Sequence, residues 1–203
     1  MILAIILAVV IVAAGALVFF TGGDDGGDEG ITVTDAQGRK VTTSVAPMRI
    51  VSCSPSLTEI VYSLGMGDRL VAVTDFCDWP AEVVERKGNS SLVSVGAYFY
   101  GANIDVIIGA DADLVLLDGG VSAQLAQLDQ LADAKINTLV LHPGTNFDEV
   151  YSNIDLIGTL CWAEESSDSL IQSMQDRIGA IQDRIGEVDE MPSVAFAVWL
   201  GQN

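Results

Sequence analysis

Positive charge is scarce in this sequence: 9 lysines and arginines stand against 28 aspartates and glutamates, for a formal net charge of −19. A chain so acidic repels phosphate backbones and anionic lipid surfaces, which argues against nucleic acid as a partner. Histidine is scarcer still, with His142 alone. A Ser-His-Asp or Cys-His centre would have to run through that one residue, and no G-x-S-x-G nucleophile turn occurs. One imidazole also fails to fill the His-rich shell of a free zinc or manganese ion. The three cysteines, Cys53, Cys77 and Cys161, follow no metal-ligand spacing, so no metal site is expected. Cys53 and Cys77 fall at the ends of two strands expected to be neighbours, so they form either a disulfide or two buried thiols, and the thiols are the simpler reading. Gly65-Met66-Gly67 has Leu70 in place of the third glycine of a dinucleotide-binding turn and follows a helix instead of a strand. The inventory therefore points to a protein that catalyses nothing and carries no cofactor.

What the sequence does have begins with a long apolar run. Ile2 to Phe20 contains no charge, and at about 1.5 Å per residue it reaches across roughly the hydrocarbon core of a bilayer. Residues 1–21 are read as a membrane anchor or signal segment. The anchor is favoured by run length and by the absence of any Lys or Arg before Arg39, since a cleaved signal peptide has a basic start. Residues 22–30 are an acidic, glycine-rich linker whose carboxylates lack the spacing of a calcium loop. Asn89-Ser90-Ser91 is a glycosylation sequon, usable on a face outside the cell.

Residues 31–163 read as an α/β lobe: a parallel sheet with helices on both faces. Ile31 to Ser44 alternates as a hairpin around Gln37-Gly38. Ile50 to Cys53 is a strand, and Ser56 with Glu59 forms a capping box for a helix bearing Leu57, Ile60, Val61 and Leu64 on one face. Gly65 closes that helix, and Leu70 to Val73 is the next strand. Further strands are expected at Leu92 to Val95, Leu114 to Leu117 and Thr138 to Leu141. Helices are expected at Ala81 to Arg86, Asn103 to Ala110, Ser122 to Ala132 and Phe147 to Leu160. Residues 164–190 form a longer helix with a seam of Ile171, Met174, Ile178, Ile181, Ile185 and Val188. Ser193 to Trp199 alternates as one more strand.

In open parallel sheets ligands bind beyond the carboxyl ends of the strands, so Ser54 to Ser56 and Phe76 to Trp79 should share one rim. Gly96 to Gly101 brackets three consecutive aromatics, which an extended loop cannot all direct into a core. A large organic or chelated ligand would be gripped by Phe76, Trp79, Tyr98, Phe99 and Tyr100, with Ser54, Ser56 and Asp78 as polar anchors.

The string PMRIVSCSPSLTEIVYSLGMGDRLVAVTDFCDWP, followed by VSVGAYFYGANIDVIIGADADLVLLD, resembles the substrate-binding proteins of ABC importers for cobalamin, haem and iron-siderophore complexes. These are the helical-backbone periplasmic binding proteins. The resemblance implies the N-terminal lobe of a two-lobed receptor, a rigid spine helix at residues 164–190, and the start of a second lobe at residues 191–203. It also implies that the ligand, a corrinoid or an iron chelate, lies against Phe76 and the Tyr98 to Tyr100 loop. Asp105 matches the family's acidic residue that docks onto arginines of the permease. The implied partners are an ABC permease with its ATPase and the outer face of the cell membrane. Two other readings fit the same residues: a truncated or split half-receptor inactive in transport, and a membrane-tethered α/β adaptor.

Overall fold

The computed structural model describes residues 30–186 and Ser193. The anchor segment, nearly all of the acidic linker, the end of the spine seam at Val188 and most of the Ser193 to Trp199 strand lie outside the described residues. Among the described residues no helix is long and apolar enough to cross a membrane.

An antiparallel hairpin comes first, β1 (Ile31–Thr34) with β2 (Lys40–Thr43). Its turn is built on Asp35, whose carboxylate accepts from the main-chain N–H of Gln37 and Arg39 and from the Arg39 guanidinium at 2.6 Å. Gly38 takes the positive φ of 74° that the turn requires.

Parallel strands then alternate with helices: β3 (Ile50–Ser52), α1 (Pro55–Ser63), β4 (Leu70–Val73), α2 (Ala81–Gly88), β5 (Val93–Ser94), α3 (Ile104–Gly109) and β6 (Leu114–Asp118). Then come α4 (Ser122–Leu125), α5 (Leu128–Asp133), β7 (Asn137–Leu141), α6 (Phe147–Leu160) and α7 (Glu164–Gly186). The sheet order is β5-β4-β3-β6-β7, with every pair parallel.

Both faces of this sheet are apolar, because successive strand side chains point opposite ways. Ile50, Leu114, Leu116, Leu139 and Leu141 face one cluster, where α1, α6 and the hairpin supply Leu57, Val61, Ile157 and Val33. Val51, Val115, Leu117 and Val140 face the other, where Ile107 of α3 and Leu131 of α5 close the layer. The hairpin covers the β7 edge: Ala36 N–H donates to the Val140 carbonyl at 2.9 Å, and Arg39 Nη2 to the Thr138 carbonyl at 2.8 Å. An edge strand left open would offer its main chain to another copy.

Two details correct the sequence expectations. The helix after β3 starts at Pro55, one residue before the proposed capping box, with Ser54 as its N-cap and no side-chain cap bond. Proline at the first helical position needs no N–H partner and has its φ preset, so no Ser56–Glu59 box is required. The single helix expected over Ser122 to Ala132 is two short helices, α4 and α5. At the break the Gln127 side chain accepts from Ala102 N–H at 2.8 Å and donates to its carbonyl at 2.6 Å, and these bonds to the neighbouring loop replace helix continuity.

Gly158 sets how closely α6 and α7 approach. A Cβ there would stand 2.5 Å from Cβ of Ser167, so only a hydrogen fits. From that contact α7 runs on with Leu170, Ile171 and Met174 against the core, while Ile181 and Ile185 are exposed.

Candidate functional site

The carboxyl ends of β3, β4, β5, β6 and β7 open onto one rim, as parallel pairing in this order demands. Ser54 follows β3, Phe76 to Trp79 follow β4, Tyr98 to Tyr100 form a single 3-10 turn after β5, and Asp118 ends β6.

Two side-chain pairs form on this rim, Ser54 with Ser56 and Tyr98 with Asp118. Ser56 and Ser54 hydroxyls lie 3.0 Å apart, with the Tyr98 phenol close enough to the Ser54 hydroxyl to feel it. Tyr98 donates to Asp118 Oδ2 at 2.6 Å, while Asp118 Oδ1 accepts from Gly120 N–H at 2.8 Å. The Tyr98 phenol is pushed up to about 12, by burial first and by the Asp118 carboxylate second, with the nearby Ser54 hydroxyl working the other way. Its proton therefore stays on oxygen at neutral pH.

Beneath these pairs lies Gln124, buried on α4. Its amide nitrogen donates to the carbonyls of Cys53 at 2.8 Å and Tyr98 at 3.1 Å, and its amide oxygen accepts from Asp118 N–H at 2.9 Å. One side chain thus binds the ends of β3 and β6 and the aromatic turn together.

The aromatics divide into a packed pair and free faces. Phe99 meets Tyr98 edge to face at 4.6 Å and Phe76 at 6.2 Å between ring centroids. Trp79 is 64% and Tyr100 86% exposed, so neither contributes to the core. Asp78 and Ser56 are exposed as well. An open hollow of about 580 Å³ lies between Tyr98 and Phe99 on one side and Asp118, Gly120, Val121 and Pro143 on the other. The structure therefore brings Ser54, Ser56, Phe76, Tyr98 and Phe99 into one connected surface. Asp78, Trp79 and Tyr100 stand on the same rim outside the hollow's lining.

Asp105 sits in the first turn of α3, exposed, beside the N-cap Asn103, whose side chain accepts from Val106 N–H. The sequence reasoning missed Asp118 and Gln124 as site residues. Asp118 had a signal, being the acid that ends an otherwise apolar strand. Gln124 had none.

All three cysteines are free and buried. Cys77 Sγ lies 3.2 Å from the hydroxyls of Thr58 and Thr74 within one apolar cluster, while Cys53 belongs to the other, so they stand as separate thiols. Burial first, and Cys77 second, push the Cys53 thiol up to about 12. His142 has its main-chain N–H and carbonyl bonded by the Asn153 side chain at 2.8 and 3.0 Å. Among the described residues no group of three His, Cys, Asp or Glu side chains is placed to hold a metal ion.

The described residues thus form a parallel-sheet lobe whose strand ends meet at a rim lined by aromatic side chains and hydroxyls. Residues 50–203 match the periplasmic binding protein family, and the chain belongs to that family. It is 37% identical over 148 residues to an uncharacterised ABC transporter substrate-binding lipoprotein of Bacillus subtilis, covering 71% of this chain and 44% of the relative. The periplasmic vitamin B12 binding protein of Vibrio cholerae superposes with a TM-score of 0.58 at 25% identity, covering 70% of this chain and 52% of that one. A siderophore-binding protein solved with acinetobactin and ferric iron shares the fold, with a TM-score of 0.67 at 16% identity over 80% of this chain and 56% of its own. The chain spans less than half the length of the curated relatives it matches.

Proposed function

We propose that this chain is the ligand-receiving lobe of an extracytoplasmic receptor that delivers a corrinoid or an iron chelate to an ABC importer. The observation that carries this reading is the rim itself. Exposed aromatic faces at Phe76, Trp79, Phe99 and Tyr100 border the hydroxyls of Ser54, Ser56 and Tyr98, which suits a large, flat, polar-edged ligand. Membership of the periplasmic binding protein family and the likeness to a vitamin B12 binding protein support it. In this reading Ser54, Ser56, Phe76, Asp78, Trp79, Tyr98, Phe99 and Tyr100 touch ligand. Asp105 docks onto the permease, which works with its ATPase, and residues 2–20 hold the protein at the membrane. Residues 164–190 are the spine and residues 191–203 enter a second lobe. The rim does no chemistry: the chain is a binder.

The test is a titration of the full chain, in detergent micelles, with cobalamin, haem and a ferric siderophore, followed by tryptophan fluorescence. Saturable quenching by one of them, reduced in Trp79→Ala, is the expected result. No saturable response to any of the three overturns the reading.

A further inference from the structure

Asn89-Ser90-Ser91 is the one N-x-S or N-x-T sequence in the chain, and nothing in the receptor reading uses it. It forms the turn between α2 and β5, where Gly88, Asn89, Ser90 and Ser91 are all exposed. A Cβ added at Gly88 would meet no atom within 4 Å, so the space beside the turn is open. Leu92 N–H and the Ser91 hydroxyl donate to the Arg86 carbonyl at 3.1 and 3.4 Å, and the Arg86 guanidinium donates to the Gly67 and Leu70 carbonyls at the start of β4. The turn therefore lies at the amino ends of the strands, on the edge of the sheet opposite the rim. The positive φ of 63° falls on Ser90, while Asn89 has a φ of −96°, so the left-handed position that favours asparagine is not the one it occupies. Asn89 Oδ1 accepts from Ser91 N–H at 3.0 Å, which leaves Nδ2 without a hydrogen-bond partner among the described residues. Asn103, Asn146 and Asn153, by contrast, hold the starts of α3 and α6 and the main chain of His142.

We propose that Asn89 is a modification site, N-glycosylated on the outer face of the membrane. An unbonded, solvent-facing amide nitrogen two residues before an exposed serine hydroxyl is what this modification asks of its acceptor. The donor is a glycan carried on a polyprenyl phosphate. Asn89 Nδ2 bonds to the anomeric carbon of the first sugar, the bond from that carbon to the phosphate oxygen breaks, and the lipid phosphate leaves with the electron pair. The amide gives up one proton to a base of the transferase. The proposal rests on the extracytoplasmic location in the receptor reading and not on its ligand. Attached at the edge opposite the rim, the glycan leaves Phe76, Trp79 and the Tyr98 to Tyr100 turn clear.

The experiment is mass spectrometry of the full chain purified from the membranes of the cell that produces it, with Asn89→Gln and Ser91→Ala made in the same cell. Both substitutions lie on an exposed turn outside the core. Expected is a peptide spanning Asn89 that is heavier than its sequence by whole sugar residues, with the increment lost in both variants. In parallel, a membrane-impermeant amine reagent applied to spheroplasts reads the location through the exposed Lys40 and Lys135. An increment that survives in Ser91→Ala overturns the assignment to the sequon, because that variant keeps the asparagine and loses only the hydroxyl. An unmodified Asn89 peptide from a chain whose lysines are labelled overturns the glycosylation and leaves the extracytoplasmic location standing. An unmodified peptide from a chain the reagent does not reach overturns that location, and the glycosylation with it.

Discussion

The Tyr98 hydroxyl donates a 2.6 Å hydrogen bond to Asp118 Oδ2, across 20 residues of sequence, and so pins the aromatic turn after β5 to the end of β6. Tyr98→Phe leaves the buried Asp118 carboxylate with the Gly120 N–H but without its phenol. The expected cost is about 1–2 kcal/mol, read from thermal or urea unfolding. The same variant checks the proton assignment. In a spectrophotometric titration, the tyrosinate absorbance lost on substitution should belong to a step near pH 12, well above an ordinary phenol near 10. A difference signal centred near 10 would contradict it.

Gln124 makes three bonds to main-chain groups of separate segments, so its loss should be costly. Gln124→Leu removes the partners of the Cys53 and Tyr98 carbonyls and of Asp118 N–H. A destabilisation of about 2–4 kcal/mol is expected. Gln124→Glu keeps the acceptor and loses the donor, and should retain part of the stability while still weakening ligand binding. Denaturation midpoints near wild type for both variants would show that the three segments hold together without it.

Asp155 of α6 is half-buried beside Glu164 and Asp168 of α7, and its carboxyl is raised above the usual range by burial first and by those two carboxylates second. A raised folded-state value means that the fold holds this proton more tightly than the unfolded chain does. The favourable contribution is complete below the unfolded value and is lost as pH rises through the folded one. Asp155→Asn should therefore raise Tm at pH 7, with the gain shrinking toward zero below about pH 4. A Tm gain of the same size at both pH values would assign the effect to something other than titration.

Asp105 is exposed at the start of a short helix and bonds to no other side chain that the core depends on. Asp105→Lys should lower ligand-stimulated ATPase activity of the reconstituted importer and leave ligand affinity and Tm unchanged. Stimulation at the wild-type level would remove the docking role. A fall in affinity would relocate Asp105 to the ligand site.

Much of this architecture was legible along the chain, because parallel strands buried on both faces read as short apolar runs and the helices between them carry apolar stripes. Leu114 to Leu117, Leu70 to Val73 and Phe147 to Leu160 were identifiable for that reason, and Gly65 was identifiable as the residue that closes the first helix, where it takes a positive φ of 76°. The break between α4 and α5 was not legible, because the Leu125, Leu128 and Leu131 spacing is helical throughout. It is interrupted by Gln127 bonding a loop 25 residues away. The Ser56–Glu59 pattern misled, because the Pro55 ring one residue earlier already provides a helix start.

The sequence by itself determined the α/β class, the acidic charge, the single histidine and the aromatic cluster, since these depend on residue type and local spacing. Tertiary structure decided the rest. Asp118 and Gln124 become site residues only because the β3–β6 pairing brings their segments to one edge. The aromatic and hydroxyl-bearing loops share one rim only because all five strands run the same way, which puts the residues before each strand and the residues after it at opposite edges of the sheet.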